Sequence, residues 1–254
     1  MTAGQKVLMP FVCGGHPDSS GLGDLLRACE RGGAGIVEVG IPFSDPIADG
    51  PVIAAAMHRA ISNGVTPDGI LNQIAEARPS LSVGIVLMVS VSLVLASRRS
   101  SNFLSDSVQA GVDGFIFPDL PLEESQDLVA RATELGAAAT LLVSPSTHPD
   151  RIARITSMCS GFVYVLARAG ITGERRDAPS IGPLIQSVRR TTQLPVACGF
   201  GITSAEHVRS VAAHADGVIV GSALIRRLGD ASAEGRDVSA DAEAFLRELG
   251  AELG

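Results

Sequence analysis

The chain has 254 residues, 46% of them hydrophobic, and a net charge of −7. That length can bury a sizeable core, in one large domain or two small ones. The acidic balance, with no basic patch interleaved with aromatics, argues against nucleic acid or an anionic membrane as the main partner, since both need clustered cations.

In chain order, strand-like apolar runs fall at 7–13, 36–41, 83–89, 114–117, 138–143, 162–166, 195–198 and 217–220. Amphipathic stretches lie between them, among them 23–31, 53–63, 123–135, 181–190 and 205–213. This alternation predicts parallel βαβ units. The segments Gly-Ala-Gly-Ile, Gly-Val-Asp-Gly-Phe-Ile and Ala-Asp-Gly-Val-Ile each enter a strand and read as equivalent αβ turns. No composition shift, linker or charge block divides the chain, so one (β/α)8 TIM barrel spanning residues 1–254 is expected. An open doubly wound sheet would carry a Gly-rich dinucleotide fingerprint after its first strand. Cys13-Gly14-Gly15-His16-Pro17 does not supply one.

The longest apolar run, 83–96, is interrupted by Ser90 and Ser92. It is shorter than the ~20 residues a membrane span needs, and reads as a buried strand and its exit. There is no secretory n-region and h-region at the start, and Cys13, Cys29, Cys159 and Cys198 make no C-x-x-C pair. A cytoplasmic protein with buried thiols is expected.

In a barrel the chemistry sits at the C-terminal ends of the strands. In the second run Val37, Val39 and Ile41 share an apolar face that suits covering helices, so Glu38 faces the barrel interior. A carboxylate buried there is costly unless paired, hydrogen-bonded or protonated. Such groups often do acid/base work, though a structural glutamate satisfied by hydroxyls would look the same. The loop that follows, Pro42 to Pro51, adds Asp45 and Asp49. Asp45 suits a local turn with Ser44; Asp49 is either a cap for a helix starting near Val52 or a second carboxylate of the site.

Glycines close the seventh and eighth runs, in Cys198-Gly199-Phe200-Gly201-Ile202 and Val220-Gly221-Ser222-Ala223. Successive glycine loops at these strand ends suit phosphate, gripped by main-chain N–H groups, a helix dipole and the Ser222 hydroxyl, as neither loop contains Lys or Arg. The sixth run ends in a glycine-punctuated, charged stretch through Arg168, Thr172, Gly173 and Arg175 that reads as a closing loop. His58, His148, His207 and His214 are expected on the surface; His16 lies nearer the mouth. Lys6 is the only lysine and precedes the first strand, on the wrong face for a Schiff base. No metal-like cluster of side chains is evident. Carboxylate general acid/base chemistry remains, on a substrate that carries its own electron sink.

The stretch Val-Glu-Val-Gly-Ile-Pro-Phe-Ser-Asp-Pro-Ile-Ala-Asp-Gly-Pro resembles the signature of the tryptophan synthase alpha subunit. The resemblance implies retro-aldol cleavage of indole-3-glycerol phosphate to indole and glyceraldehyde 3-phosphate, with Glu38 and Asp49 as the catalytic carboxylates. It implies Phe11, Tyr164 and Phe200 as pocket aromatics, Thr172 beside Asp49, Gly173 with Gly201, Gly221 and Ser222 near the phosphate, and Asp119 as a structural cap. It further implies no cofactor in this chain, and a beta subunit that carries pyridoxal phosphate in an α2β2 complex. The chain departs from the family's pattern in three places. Only a few residues precede Val7 where a capping helix is usual, the first loop is Cys-Gly-Gly-His-Pro, and the third exit Met88-Val89-Ser90-Val91-Ser92 lacks a tyrosine and an asparagine. A stand-alone lyase releasing free indole, and a weakly catalytic phosphate-binding barrel that activates a partner, are the alternatives.

Overall fold

Residues 6–47, 49–96, 102–167, 181–199 and 201–253 are described in the structure, a computed structural model. The apolar runs become parallel strands: β1 (Val7–Cys13), β2 (Ile36–Gly40), β3 (Gly84–Met88), β4 (Gly114–Ile116), β5 (Ala138–Thr140), β6 (Leu142–Val143), β7 (Val163–Leu166), β8 (Val196–Gly199) and β9 (Gly217–Val220). Their order in the sheet is β5-β4-β3-β2-β1-β9-β8-β7-β6. Only Leu141 separates β5 from β6, so the two ends of that order are one stave and the sheet closes on itself as a (β/α)8 barrel.

The expected run at 138–143 is thus broken. Leu141 turns its N–H to the Cys159 sulfur, 3.3 Å away, instead of to a neighbouring strand. Cys159 is half-buried, whereas the other three cysteines are buried. Burial pushes the thiols of Cys13, Cys29 and Cys198 up to about 12.

Helices cover the outside: α1 (Leu22–Arg31), α2 (Pro51–Ser62), α3 (Pro67–Ala77), α4 (Val91–Ala96), α5 (Phe103–Gln109), α6 (Gln126–Glu134), α7 (Pro149–Met158), α8 (Gly182–Arg189), α9 (Ala205–Ala212), α10 (Ser222–Ala233) and α11 (Val238–Gly250). Most boundaries shift by a residue or two, and two stretches differ in kind from the sequence reading. The stretch at 123–135 opens with a 3₁₀ turn, Leu122–Glu124, before α6. The exit of the 83–96 run is itself helical, because Asp119 caps the N-terminus of α4: its carboxylate accepts the Val91 N–H (2.9 Å) and the Ser90 hydroxyl (2.5 Å).

The period of two sorts the side chains. Val37, Val39 and Ile41 join the large core between strands and helices, whereas Met9, Val86, Ile116, Tyr164 and Ile219 fill the barrel interior. Each such aliphatic side chain, fully buried, contributes roughly 1.5–3 kcal/mol.

Two of the three repeated turns before strands share a cause. Asp113, entering β4, accepts the Ile85 N–H of β3 at 2.7 Å; Asp216, entering β9, accepts the Val196 N–H of β8 at 2.8 Å and pairs with Arg189 at 2.9 Å. Each carboxylate thus fixes the start of the neighbouring strand. Asp216→Ala is expected to lower stability by about 1–3 kcal/mol, since the Val196 N–H loses its acceptor. Urea unfolding followed by circular dichroism reads the shift. At this same end Lys6 donates to the Ala215 carbonyl (2.8 Å), which puts the sole lysine at the base of the barrel.

Candidate active site

Glu38 sits in the middle of β2, in register with Phe11 of β1 and Val86 of β3. Its side chain is fully buried, and neither carboxyl oxygen has a hydrogen-bond partner among the described residues. Burial pushes its pKa well above the ordinary carboxyl value. Among the described residues no hydroxyl satisfies Glu38, and burial favours its protonated form.

Asp49 is half-buried on the loop between β2 and α2. The N-cap of α2 is Gly50, not Asp49, and Pro51 occupies the first turn. With Met57, Met88, Ser90 and Asp119, Asp49 lines a small cleft at the barrel mouth. Asp45 behaves as expected for a local turn: it is exposed and accepts the Ser44 hydroxyl at 2.5 Å.

Tyr164 is buried on β7, and its hydroxyl is pushed well above its usual range by burial first, then by Glu38, Cys198 and Asp49. Asp49 also adds to the burial that raises Cys13 at the end of β1. The two carboxyls and the tyrosine therefore share one electrostatic neighbourhood.

Two strand glycines make that possible. A Cβ on Gly40 would meet Phe11 Cζ at 2.5 Å, and a Cβ on Gly199 would meet the Tyr164 hydroxyl at 2.8 Å. Each aromatic lies where its neighbour has no side chain. Phe11 also reaches the last loop, 3.7 Å from the place a Cβ on Gly221 would take. Gly221 is the N-cap of α10, and Ser222, buried, opens that twelve-residue helix. Gly201 follows β8 with φ +80°, a conformation that favours glycine. Phe11 and Tyr164 thus neighbour Glu38 and Gly221 adjoins Phe11, while Gly201 and Ser222 follow the ends of β8 and β9. Thr172, Gly173 and Phe200 lie outside the described residues.

The sequence reading missed several contributors. His207, expected on the surface, is buried on α9, with its Nδ1 3.1 Å from the Gly201 carbonyl oxygen. Its place one turn after the glycine loop was the available signal. His16 is buried too, its Nε2 3.0 Å from the Ile225 carbonyl oxygen; burial lowers its pKa and keeps it neutral. Gly40 and Met57 entered the sequence reading only as strand and helix residues. Among the described residues no three His, Cys, Asp or Glu side chains converge as a metal site would need, and no helix is long and apolar enough to cross a membrane.

Against known proteins, the profile of the tryptophan synthase alpha chain family matches residues 1–253. The chain belongs to that family. It is 41% identical to the tryptophan synthase alpha chain of Prochlorococcus marinus (strain MIT 9313), over 97% of this chain and 89% of the relative. With the corresponding chain of Synechococcus elongatus it shares 42% identity over 91% of this chain and 88% of the other. The fold superposes on tryptophan synthase subunit alpha from Legionella pneumophila with a TM-score of 0.89 at 31% identity, covering 98% and 92% of the two chains. A Pyrococcus furiosus tryptophan synthase complex gives a TM-score of 0.87 at 32% identity, covering 96% and 98%. As a member of the tryptophan synthase alpha family, the chain carries the family's signature on β2 and the loop beyond it, where Glu38 and Asp49 lie.

Proposed function

We propose that this family member cleaves indole-3-glycerol phosphate to indole and glyceraldehyde 3-phosphate, with Glu38 as proton donor and acceptor and Asp49 as the stabilising carboxylate. The observation that carries this reading is Glu38 itself, a buried carboxyl in the middle of β2 with no hydrogen-bond partner among the described residues, which burial biases toward its protonated form. A neutral acid there delivers a proton to ring carbon C3, which gives a cationic indolenine. Removal of the side-chain hydroxyl proton then forms the aldehyde C=O. The bond from C3 to the side chain breaks, and its electron pair returns to the ring, releasing indole.

Asp49 accepts the ring N–H and balances its transient positive charge. The substrate supplies the electron sink, and the only lysine is engaged with Ala215 at the opposite end, in keeping with a mechanism that uses neither Schiff base nor metal. Phe11 and Tyr164, with Phe200 and Thr172, wall the ring. Gly201, Gly221 and Ser222, with Gly173, grip the phosphate by main-chain N–H groups, the dipole of α10 and one hydroxyl, so that binding becomes orientation.

One domain across the whole chain, working in the cytoplasm, fits this reading. So does an α2β2 assembly in which a beta subunit alone holds pyridoxal phosphate. Ile47 and Leu95, 77% and 64% exposed, stand on the segments after β2 and β3 at the mouth, where a partner would cover them. The test follows indole from indole-3-glycerol phosphate with and without purified beta subunit. Indole release that rises with the partner is expected, and Ile47→Asp should weaken co-elution about tenfold or more by desolvating a charge in the interface. No indole under either condition would overturn the assignment, and unchanged co-elution would move the interface elsewhere.

A further inference from the structure

Beyond the residues that touch substrate, one buried side chain is placed to shape the grip on phosphate. The loop from Gly201 to Ser204 leads from β8 into α9, where Ser204 is the N-cap and its hydroxyl accepts the His207 N–H at 3.3 Å. The His207 ring, 3% exposed, folds back over this loop. Its Nδ1 stands 3.1 Å from the Gly201 carbonyl oxygen, 3.3 Å from the Thr203 hydroxyl and 3.4 Å from the Thr203 N–H nitrogen. With a proton on Nδ1 the ring donates to Gly201; with Nδ1 bare it accepts from Thr203. Both tautomers close a ring across the loop.

In a trans peptide the C=O and the next N–H point in opposite directions. Fastening the Gly201 carbonyl under α9 therefore turns the Ile202 N–H away from α9, and the +80° φ of Gly201 carries that constraint back to its own N–H. A glycine at positive φ has little intrinsic preference between orientations, so a neighbour must choose one. We propose that His207 is a positioning residue for the phosphate loop: by clasping Gly201 and Thr203 it sets the aim of the main-chain N–H groups that meet the substrate's phosphate. The inference rests on the reading of Gly201 as part of the phosphate grip.

The test uses the full chain and two probes, indole-3-glycerol phosphate as substrate and inorganic phosphate as competitor. His207→Phe keeps the buried ring and removes its nitrogen. It is expected to raise KM about tenfold with kcat within about twofold, and to weaken inhibition by inorganic phosphate by a similar factor. His207→Asn places an amide group at the same distance from the backbone as Nδ1 and should restore both. His207→Gln places its amide one bond further, near Nε2, and should not. The order of Asn over Gln tests the clasp even if the Phe variant does not fold, and equal or reversed behaviour of the two overturns it. A fall in kcat with KM unchanged overturns it as well. Ser222→Ala separates this idea from the reading beneath it. If that variant weakens phosphate inhibition while His207→Phe does not, the clasp alone fails; if neither does, the phosphate site is misassigned.

Discussion

Glu38→Gln is expected to abolish indole formation, by about 10²–10⁴-fold, while making the fold less sensitive to alkaline pH. Glutamine matches the shape of the protonated acid but can neither deliver nor collect the proton. The stability effect follows from linkage. Above the ordinary carboxyl value of 4.5 the unfolded chain releases this proton while the folded chain keeps it, because burial raises the folded pKa. The native state then binds more protons than the unfolded one, so wild-type stability falls as pH rises, by up to about 1.4 kcal/mol per pH unit, until the folded pKa is passed. Below that ordinary value the penalty is absent. The variant lacks this slope, and its urea midpoint should gain on the wild type from pH 5 toward pH 8 or so. Full activity would remove Glu38 from the mechanism, and parallel pH profiles of stability would show that the carboxyl is not held neutral.

The second large effect is expected at Asp49→Asn. The amide keeps the loop's shape and can still meet the ring N–H through its oxygen, but it has no charge to set against a cationic intermediate. Turnover should fall by about 10²–10³-fold with KM little changed, because the interaction is made mainly in the transition state. Competition by inorganic phosphate should persist, since the proposed grip is on the loops beyond β8 and β9. Asp49 also raises the Tyr164 hydroxyl and, after burial, the Cys13 thiol. In the Asn variant the Cys13 thiol should therefore titrate lower than in the wild type, a change readable by the pH dependence of its alkylation in mild denaturant. Wild-type turnover, or loss of phosphate competition alone, would place Asp49 outside the chemistry.

Much of this was legible in the chain before any coordinates. The strands at 7–13 and 217–220 match to the residue, because each is an unbroken apolar run stopped by a charged residue before it and a glycine after it. The inward aim of Glu38 followed from a period of two alone, and the expected cap role of Asp119 is met on α4. What escaped depended on distant partners. Nothing near Leu141 says that its N–H would prefer the sulfur of Cys159 to a strand, and nothing near His207 says that a polar ring in an amphipathic stretch would turn inward to a carbonyl six residues back. Gly40 and Gly199 read as ordinary turn or strand glycines until Phe11 and Tyr164 are seen lying against them.

The stave broken at Leu141 distributes strength unevenly around the ring. Its first half engages β4 through three residue pairs and its second half engages β7 through two, whereas β2 meets β3 through five. Thermal breathing of a closed hoop concentrates at its shortest joints. The β8–β9 joint is as short as the one between the broken stave and β7, so give in the hoop is shared by both, while the longer β2–β3 joint holds Glu38 in register with Val86. If Glu38 transfers the proton as proposed, the longest strand joint in the hoop is the one that fixes it, and the shorter joints are where the wall would give as a bulky bicyclic product departs.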